Sequence, residues 1–156
     1  MCKDYSDVLY RVLEESLENL AFMFAEVIDI NDLAMSDTEC IKVSMTFTGD
    51  LYDGSLKMIV PSNISSELAG NILGIDDTSD EAFELGNDSL KEVLNVICGR
   101  VLTEISGTEP LFDLSIPELE TLSCQSIKEQ IKQKNSCSAL IDDMYPIILE
   151  FEKKDK

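Results

Sequence analysis

Apolar side chains recur at helical spacing from residue 4 to residue 28. Val8, Leu9, Val12, Leu13, Leu17, Leu20, Phe24 and Val27 fall on one side, with Glu14, Glu15 and Glu18 on the other. This spacing predicts a long amphipathic first helix. From 39 to 60 the period changes to two, through Ile41, Val43, Met45 and Phe47 and then Leu56, Met58 and Val60, with TGDLYDGS between them. Two antiparallel strands joined by a wide turn fit this pattern, Gly49 and Gly54 supplying the turn chemistry. Pro61 and Ser62 stop the second strand, and Ile64, Leu68, Ile72 and Leu73 restart a helical pattern that ends at Gly74. An acidic connector, residues 75–87, leads into a second long helical pattern over 88–105. After a turn at SGTEP the chain is irregular through Pro110 and Pro117, passes a short candidate helix, SIKEQIKQ, and closes with CSALIDD and YPIILEFE. The last two segments read as a hairpin across Asp142 to Met144.

This order of elements predicts a mixed α/β (α+β) layered domain, an antiparallel sheet packed by long helices. With 156 residues, 44% of them hydrophobic, and only 4 Pro and 7 Gly, residues 1–156 have the content of a single domain. A helix followed by a strand pair occurs twice, over 4–60 and 88–152, which hints at an internal pseudo-duplication. Sequence identity between the halves is slight.

Charge narrows the partners. Against 12 basic side chains stand 31 acidic ones, a net of −19, so the average surface repels nucleic-acid phosphates and anionic lipid. No apolar run approaches the roughly 20 residues that span a bilayer. The charged N-terminal stretch lacks the apolar core of a secretion signal, so no membrane insertion and a cytoplasmic location are expected. The cysteines Cys2, Cys40, Cys98, Cys124 and Cys137 are odd in number, scattered and without a CxxC pair; they read as reduced, mostly buried thiols.

The chain has no histidine. Ser-His-Asp and Cys-His hydrolysis, His-ligated zinc and histidine phosphotransfer are therefore excluded unless a partner supplies the imidazole. Asp76, Thr78 and Asp80 have the spacing of a calcium loop, but Glu81 stands where the sixth position needs glycine and Asn87 where the twelfth needs glutamate. Gly-rich phosphate loops are absent from the sequence.

The segment DSLKEVLNVICG, 88–99, holds the candidate chemistry. At about 100° per residue, Leu90, Val93, Leu94, Ile97, Val101 and Ile105 form a packing stripe, while Asp88, Glu92, Asn95 and Gly99 cluster within roughly 60° on the opposite side. Gly99 in a helix middle costs about 1 kcal/mol relative to alanine, which close approach of another backbone could offset. A plainer account is also available: Ser89 and Glu92 match a capping box, and Asn95 is a solvated polar residue.

Spacing over a longer range points to function. Asp88, Glu92, Asn95 and Pro117 fit [DS]-x3-E-x2-N-x21-P, which resembles the signature of the CheC, CheX and FliY family of chemotaxis phosphatases. Gly99 also stands where CheX-like sequences carry glycine, and DGSLKMIV (53–60) resembles one of their strands. A rival register exists: Asp80, Glu84 and Asn87 precede Pro110, one residue late, and the run Gly86-Asn87-Asp88-Ser89 disfavours a helix there.

The resemblance implies a CheC/CheX-like layered domain that hydrolyses the phosphoaspartate of a CheY-type response regulator. Glu92 would pair with a lysine of the regulator, Asn95 would hold the attacking water, and Asp88, Gly99 and Pro117 would support them. No cofactor of its own is implied, since the Mg²⁺ belongs to the phosphorylated partner. Asn19 has Ser16 where a second motif would need glutamate, so one site per chain is expected, with homodimers formed through sheet edges as in CheX-like members. A module that only binds a receiver domain or a flagellar switch component, and a purely structural subunit, fit the same residues.

Overall fold

The structure is a computed structural model and describes residues 4–33, 39–124 and 134–156. The candidate helix SIKEQIKQ lies outside the described residues. Helix α1, Ser6–Ala21, carries Leu9, Val12, Leu13, Leu17 and Ala21 into the core. It stops short of the predicted end because Phe22 is left-handed, φ 55°. The N–H groups of Phe22 and Met23 then satisfy the carbonyls of Glu18 and Leu17, both at 3.2 Å. Such a stop at a residue other than glycine leaves no mark in the sequence. The chain reverses as β1, Ala25–Val27, so Phe24 and Val27 are exposed and do not continue the helical stripe.

Strands β2 (Glu39–Gly49) and β3 (Tyr52–Pro61) follow, and the expected wide turn contracts to Asp50 and Leu51. Gly49 and Gly54 belong to the strands instead of the turn. Gly54 pairs with Phe47, and a Cβ there would collide with the Glu152 carbonyl and the Phe47 ring. Helix α2, Ser65–Leu73, ends at left-handed Gly74, φ 69°, as its sequence predicts. Helix α3 spans Asp80–Ser106, and β4 (Phe112–Leu114), β5 (Glu118–Ser123), β6 (Ser136–Ile141) and β7 (Tyr145–Asp155) complete the described α-helices and strands. The predicted hairpin between β6 and β7 is present. Asp142 and Asp143 are both left-handed, and the Met144 N–H bonds the Ile141 carbonyl at 2.9 Å, a type I′ turn matched to strand twist.

All pairings among the described strands are antiparallel, in the order β1-β6-β7-β3-β2-β4, with β5 sharing the outer edge of β2. The paired strands β3 and β7 lie at the centre, and β1 and β5 each pair with the hairpin of the opposite half. This is a symmetry of strand order alone. Period-two alternation sends Ile41, Val43, Met45, Phe47, Leu56, Met58, Leu149 and Phe151 into one core with α1 and the inner face of α3. On the other sheet face Leu33, Cys40, Ile59, Cys124 and Ile148 form a smaller cluster.

That smaller cluster corrects the expectation for the cysteines. Cys40 of β2 and Cys124, at the end of β5, form a disulfide across a sequence separation of 84. Register brings them together, since Cys40 pairs with Leu122, and no local motif announces it. Cys98 and Cys137 are buried free thiols as expected, pushed up to about 12 by burial, so neither supplies a thiolate near neutral pH. Cys2 lies outside the described residues. Among the described residues no helix is long and apolar enough to cross a membrane.

Candidate functional site

Helix α3 begins at Asp80, well before the predicted residue 88, and the acidic connector shrinks to 75–79. The Asp76 carboxylate accepts from the Thr78 N–H at 2.9 Å and from its hydroxyl at 2.7 Å, and these bonds hold its pKa below the usual range. The Ser79 hydroxyl caps the helix by accepting from the Ala82 N–H at 3.2 Å. Asp80 and Glu81 then occupy the first turn, where the helix dipole favours carboxylates. The residues that mimic a calcium loop therefore form the start of a helix. Among the described residues, no cluster of three or more His, Cys, Asp or Glu could hold a metal ion.

This start removes the plainer account of Glu92. Ser89 lies inside α3 and is buried, so it is not an N-cap and Glu92 has no capping box to complete. The run Gly86-Asn87-Asp88-Ser89 stays helical because Gly86 lets α2 come close. A Cβ at position 86 would stand 2.8 Å from the Ser65 Cβ.

The inner stripe matches its prediction. Leu90, Val93, Leu94, Ile97 and Val101 are buried and Ile105 is partly so. Asp88, Glu92 and Asn95 are exposed on the opposite side, with Gly99 half-exposed in the same line. Among the described residues Glu92 and Asn95 have no hydrogen-bond or ion-pair partner. A carboxylate and an amide in this state offer two acceptor oxygens and an acceptor–donor pair to an incoming molecule.

The glycines add an independent observation. Gly49, Gly54, Gly70 and Gly86 are crowded by neighbours, while Gly74 and Gly107 have φ of 69° and 80°. Gly99 alone among the 7 meets nothing within 4 Å of an added Cβ and has no positive φ. Among the described residues neither crowding nor backbone conformation asks for glycine there.

Glu84 and Asn87, the rival pair, are also exposed on α3. A helix beneath the motif therefore does not separate the two registers, contrary to the expectation from the Gly86–Ser89 run. Their surroundings differ. Near Gly86 the helix packs on Ser65 of α2, whereas Gly99 and Thr103 line a groove with Pro110, Phe112 and Leu114. Pro117 is half-buried just before β5. The Glu92–Asn95 ridge leads toward this segment, and the rival pair lies about 12 Å nearer the helix start, at 1.5 Å per residue.

The flank of α3 toward α1 is a seam. Arg11 pairs with Glu104 at 2.7 Å and Arg100 with Glu15 at 2.8 Å, while Arg100 also donates to the Ser16 hydroxyl at 3.2 Å. Ser16 is fully buried there. The α1 position where a second motif would need its glutamate is thus occupied by packing, although Asn19 is exposed. Sequence patterning passed over Arg100 in this seam and the exposed apolar residues Leu111, Leu114 and Ile116 beside the groove. Their signal was the density of apolar residues around Pro110 and Pro117.

The family profile described as chemotaxis phosphatase CheX matches residues 41–142. No curated protein sequence matches the chain. Solved structures show the same fold at low identity. CheX in a CheX–CheY–BeF3–Mg²⁺ complex from Borrelia burgdorferi is 18% identical, with a TM-score of 0.64 over 97% of this chain and 99% of that one. CheX from Vibrio vulnificus is 15% identical with a TM-score of 0.65, covering 96% and 97%. CheX from Desulfovibrio desulfuricans is 15% identical with a TM-score of 0.63, covering 94% and 98%.

Proposed function

The chain belongs to the CheX family of chemotaxis phosphatases, and from that premise we propose that it hydrolyses the phosphoaspartate of a CheY-type response regulator. The observation that carries this reading is the exposed pair Glu92 and Asn95, unpartnered among the described residues and in line with Gly99, whose Cβ position is open. The solved complex of the Borrelia relative with CheY, BeF3 and Mg²⁺ supports the partner class and assigns the metal to the complex.

The chemistry asks little of the chain itself. A water oxygen attacks phosphorus, the bond from phosphorus to the aspartyl oxygen breaks, and the regulator regains its carboxylate as inorganic phosphate leaves. Asn95 holds the water in line through its amide, which donates and accepts without carrying negative charge toward the phosphoryl oxygens. Glu92 pairs with a lysine of the regulator and fixes the approach. Asp88 and Pro117 shape the ridge and the segment at its foot. Mg²⁺ on the partner neutralises the developing charge.

Phosphate release from a phosphorylated CheY-type receiver with Mg²⁺ tests this directly. Wild type accelerates release; Asn95→Ala lowers it by about 100-fold or more, and Asn95→Asp also fails because a carboxylate repels the phosphoryl oxygens. Wild-type release no faster than the receiver's own would overturn the enzymatic reading. Retained binding in that case would leave a receiver-binding module, the second reading that these surface residues support. Homodimerisation through the sheet edge at β1, the end of the strand order opposite β4, is a separate proposal that sedimentation checks.

A further inference from the structure

Beyond Asn95 the ridge runs into an apolar surface that the phosphatase chemistry does not use. Gly99 lies about 6 Å along the helix axis from Asn95, at 1.5 Å per residue. It opens a groove of about 220 Å³ whose other wall includes Pro110, Phe112 and Leu114. Around that wall Leu111 is 86% exposed, Ile116 84% and Leu114 39%. Apolar exposure concentrated in one short segment of an acidic chain marks an interaction site more often than chance.

The segment is held in place before any partner arrives. Phe112 pairs with Gly49 and Leu114 with Phe47, and the Phe112 ring packs edge-on against Phe47 at 5.9 Å. Ser115 donates its N–H to the Thr46 carbonyl at 2.9 Å, and its hydroxyl accepts from the Thr46 N–H at 2.9 Å. A surface fixed in this way loses little entropy on binding.

We propose that this groove and its apolar rim form a second contact surface for the receiver domain, taking an aliphatic side chain presented beside the receiver's phosphorylation site. The proposal rests on the reading of Glu92 and Asn95 above and extends it from chemistry to affinity. Gly99 belongs to both the ridge and the groove, so the two surfaces adjoin along α3. Charge selects the occupant. The groove has no lysine or arginine in its lining, and Glu92, Asp113 and Glu118 are exposed on the ridge and the Phe112–Glu118 segment. On this face a second copy would set Asp113 and Glu118 against acids of its own kind. A receiver bringing a lysine and an apolar side chain is complementary to both features.

The test measures affinity and turnover separately. A CheY-type receiver held in its active state by beryllofluoride and Mg²⁺ is titrated against wild type, Ile116→Ser, Leu114→Ser and Asn95→Ala, with thermal unfolding as the folding control. Ile116→Ser is the safer variant, because its side chain makes little contact with the fold. Expected are about tenfold weaker binding for each apolar variant, unchanged single-turnover phosphate release at saturating receiver, and near-wild-type binding for Asn95→Ala. If wild type releases phosphate and both apolar variants bind as well as it does, the docking surface is wrong and the phosphatase reading stands. If wild type binds without releasing phosphate and the apolar variants bind more weakly, the surface stands and the enzymatic reading falls. Loss of binding accompanied by a changed sedimentation coefficient assigns the face to a second copy and overturns the proposal, as does a wild type that binds no receiver.

Discussion

Gly86 and Gly99 lie on one helix and mean opposite things. At Gly86 the missing side chain is filled by Ser65, so α2 and α3 approach where any Cβ would collide. At Gly99 the space is open, and the helix gives up about 1 kcal/mol of propensity with no described residue filling it. The first glycine is explained by its neighbour in the chain, and for the second the described residues give no such neighbour. Glu84 and Asn87 flank the sealed end, Glu92 and Asn95 the open one. A residue type is therefore weak guidance to function until its surroundings are known.

The sharpest way to break this contrast is to exchange its two amides. Asn95→Ala should lower receiver dephosphorylation by about 100-fold or more, while Asn87→Ala stays within about twofold; equal losses at both positions would undo the choice of register. Next in size is stability. Gly86→Ala should destabilise the fold by about 1–3 kcal/mol through overpacking against Ser65, read from urea unfolding midpoints. Gly99→Ala should move the other way, gaining up to about 1 kcal/mol, yet lower kcat/KM because the added methyl obstructs the partner. A Gly99→Ala protein that is both more stable and undiminished in receiver dephosphorylation would show that the open space is unused.

Smaller effects refine the picture. Glu92→Gln should weaken receiver binding by about tenfold, with Glu84→Gln unchanged, as measured by titration at low salt where a charge pair is least screened. Least of all, Glu15→Gln on the α1 seam should cost under about 1 kcal/mol and leave turnover intact, since its pair with Arg100 is largely exposed. A large catalytic loss there would mean that the seam, and not the ridge alone, sets the position of Asn95.

Much of this was legible along the chain. The inner stripe Leu90, Val93, Leu94, Ile97 and Val101 follows from helical periodicity, and the alternation in β2 and β3 follows from the pleat. Other features were not. Phe22 ends α1 by adopting a left-handed conformation, and no composition signal distinguishes it from a helical phenylalanine. The start of α3 at Asp80 is hidden because Gly86, Asn87, Asp88 and Ser89 look like a break when read locally. Contact with Ser65 makes glycine the fitting residue there, and ten buried residues of α3 outweigh the low propensity of that run. The Cys40–Cys124 disulfide was missed for a related reason, since strand register joined residues 84 apart.

By itself the sequence determined which faces of α3, β2 and β3 would be buried, that the chain has no histidine to offer, and that an acid, an amide and a glycine share one line of a helix before a proline at fixed distance. Periodicity and spacing are local properties, and they survive without knowledge of neighbours. Tertiary structure decided what those residues are free to do. It buried Ser89 and so released Glu92 from capping, it explained six glycines and left Gly99 unexplained, and it brought Leu114 across from Gly99. Each of these depends on contacts between segments distant in the chain, which packing alone brings together.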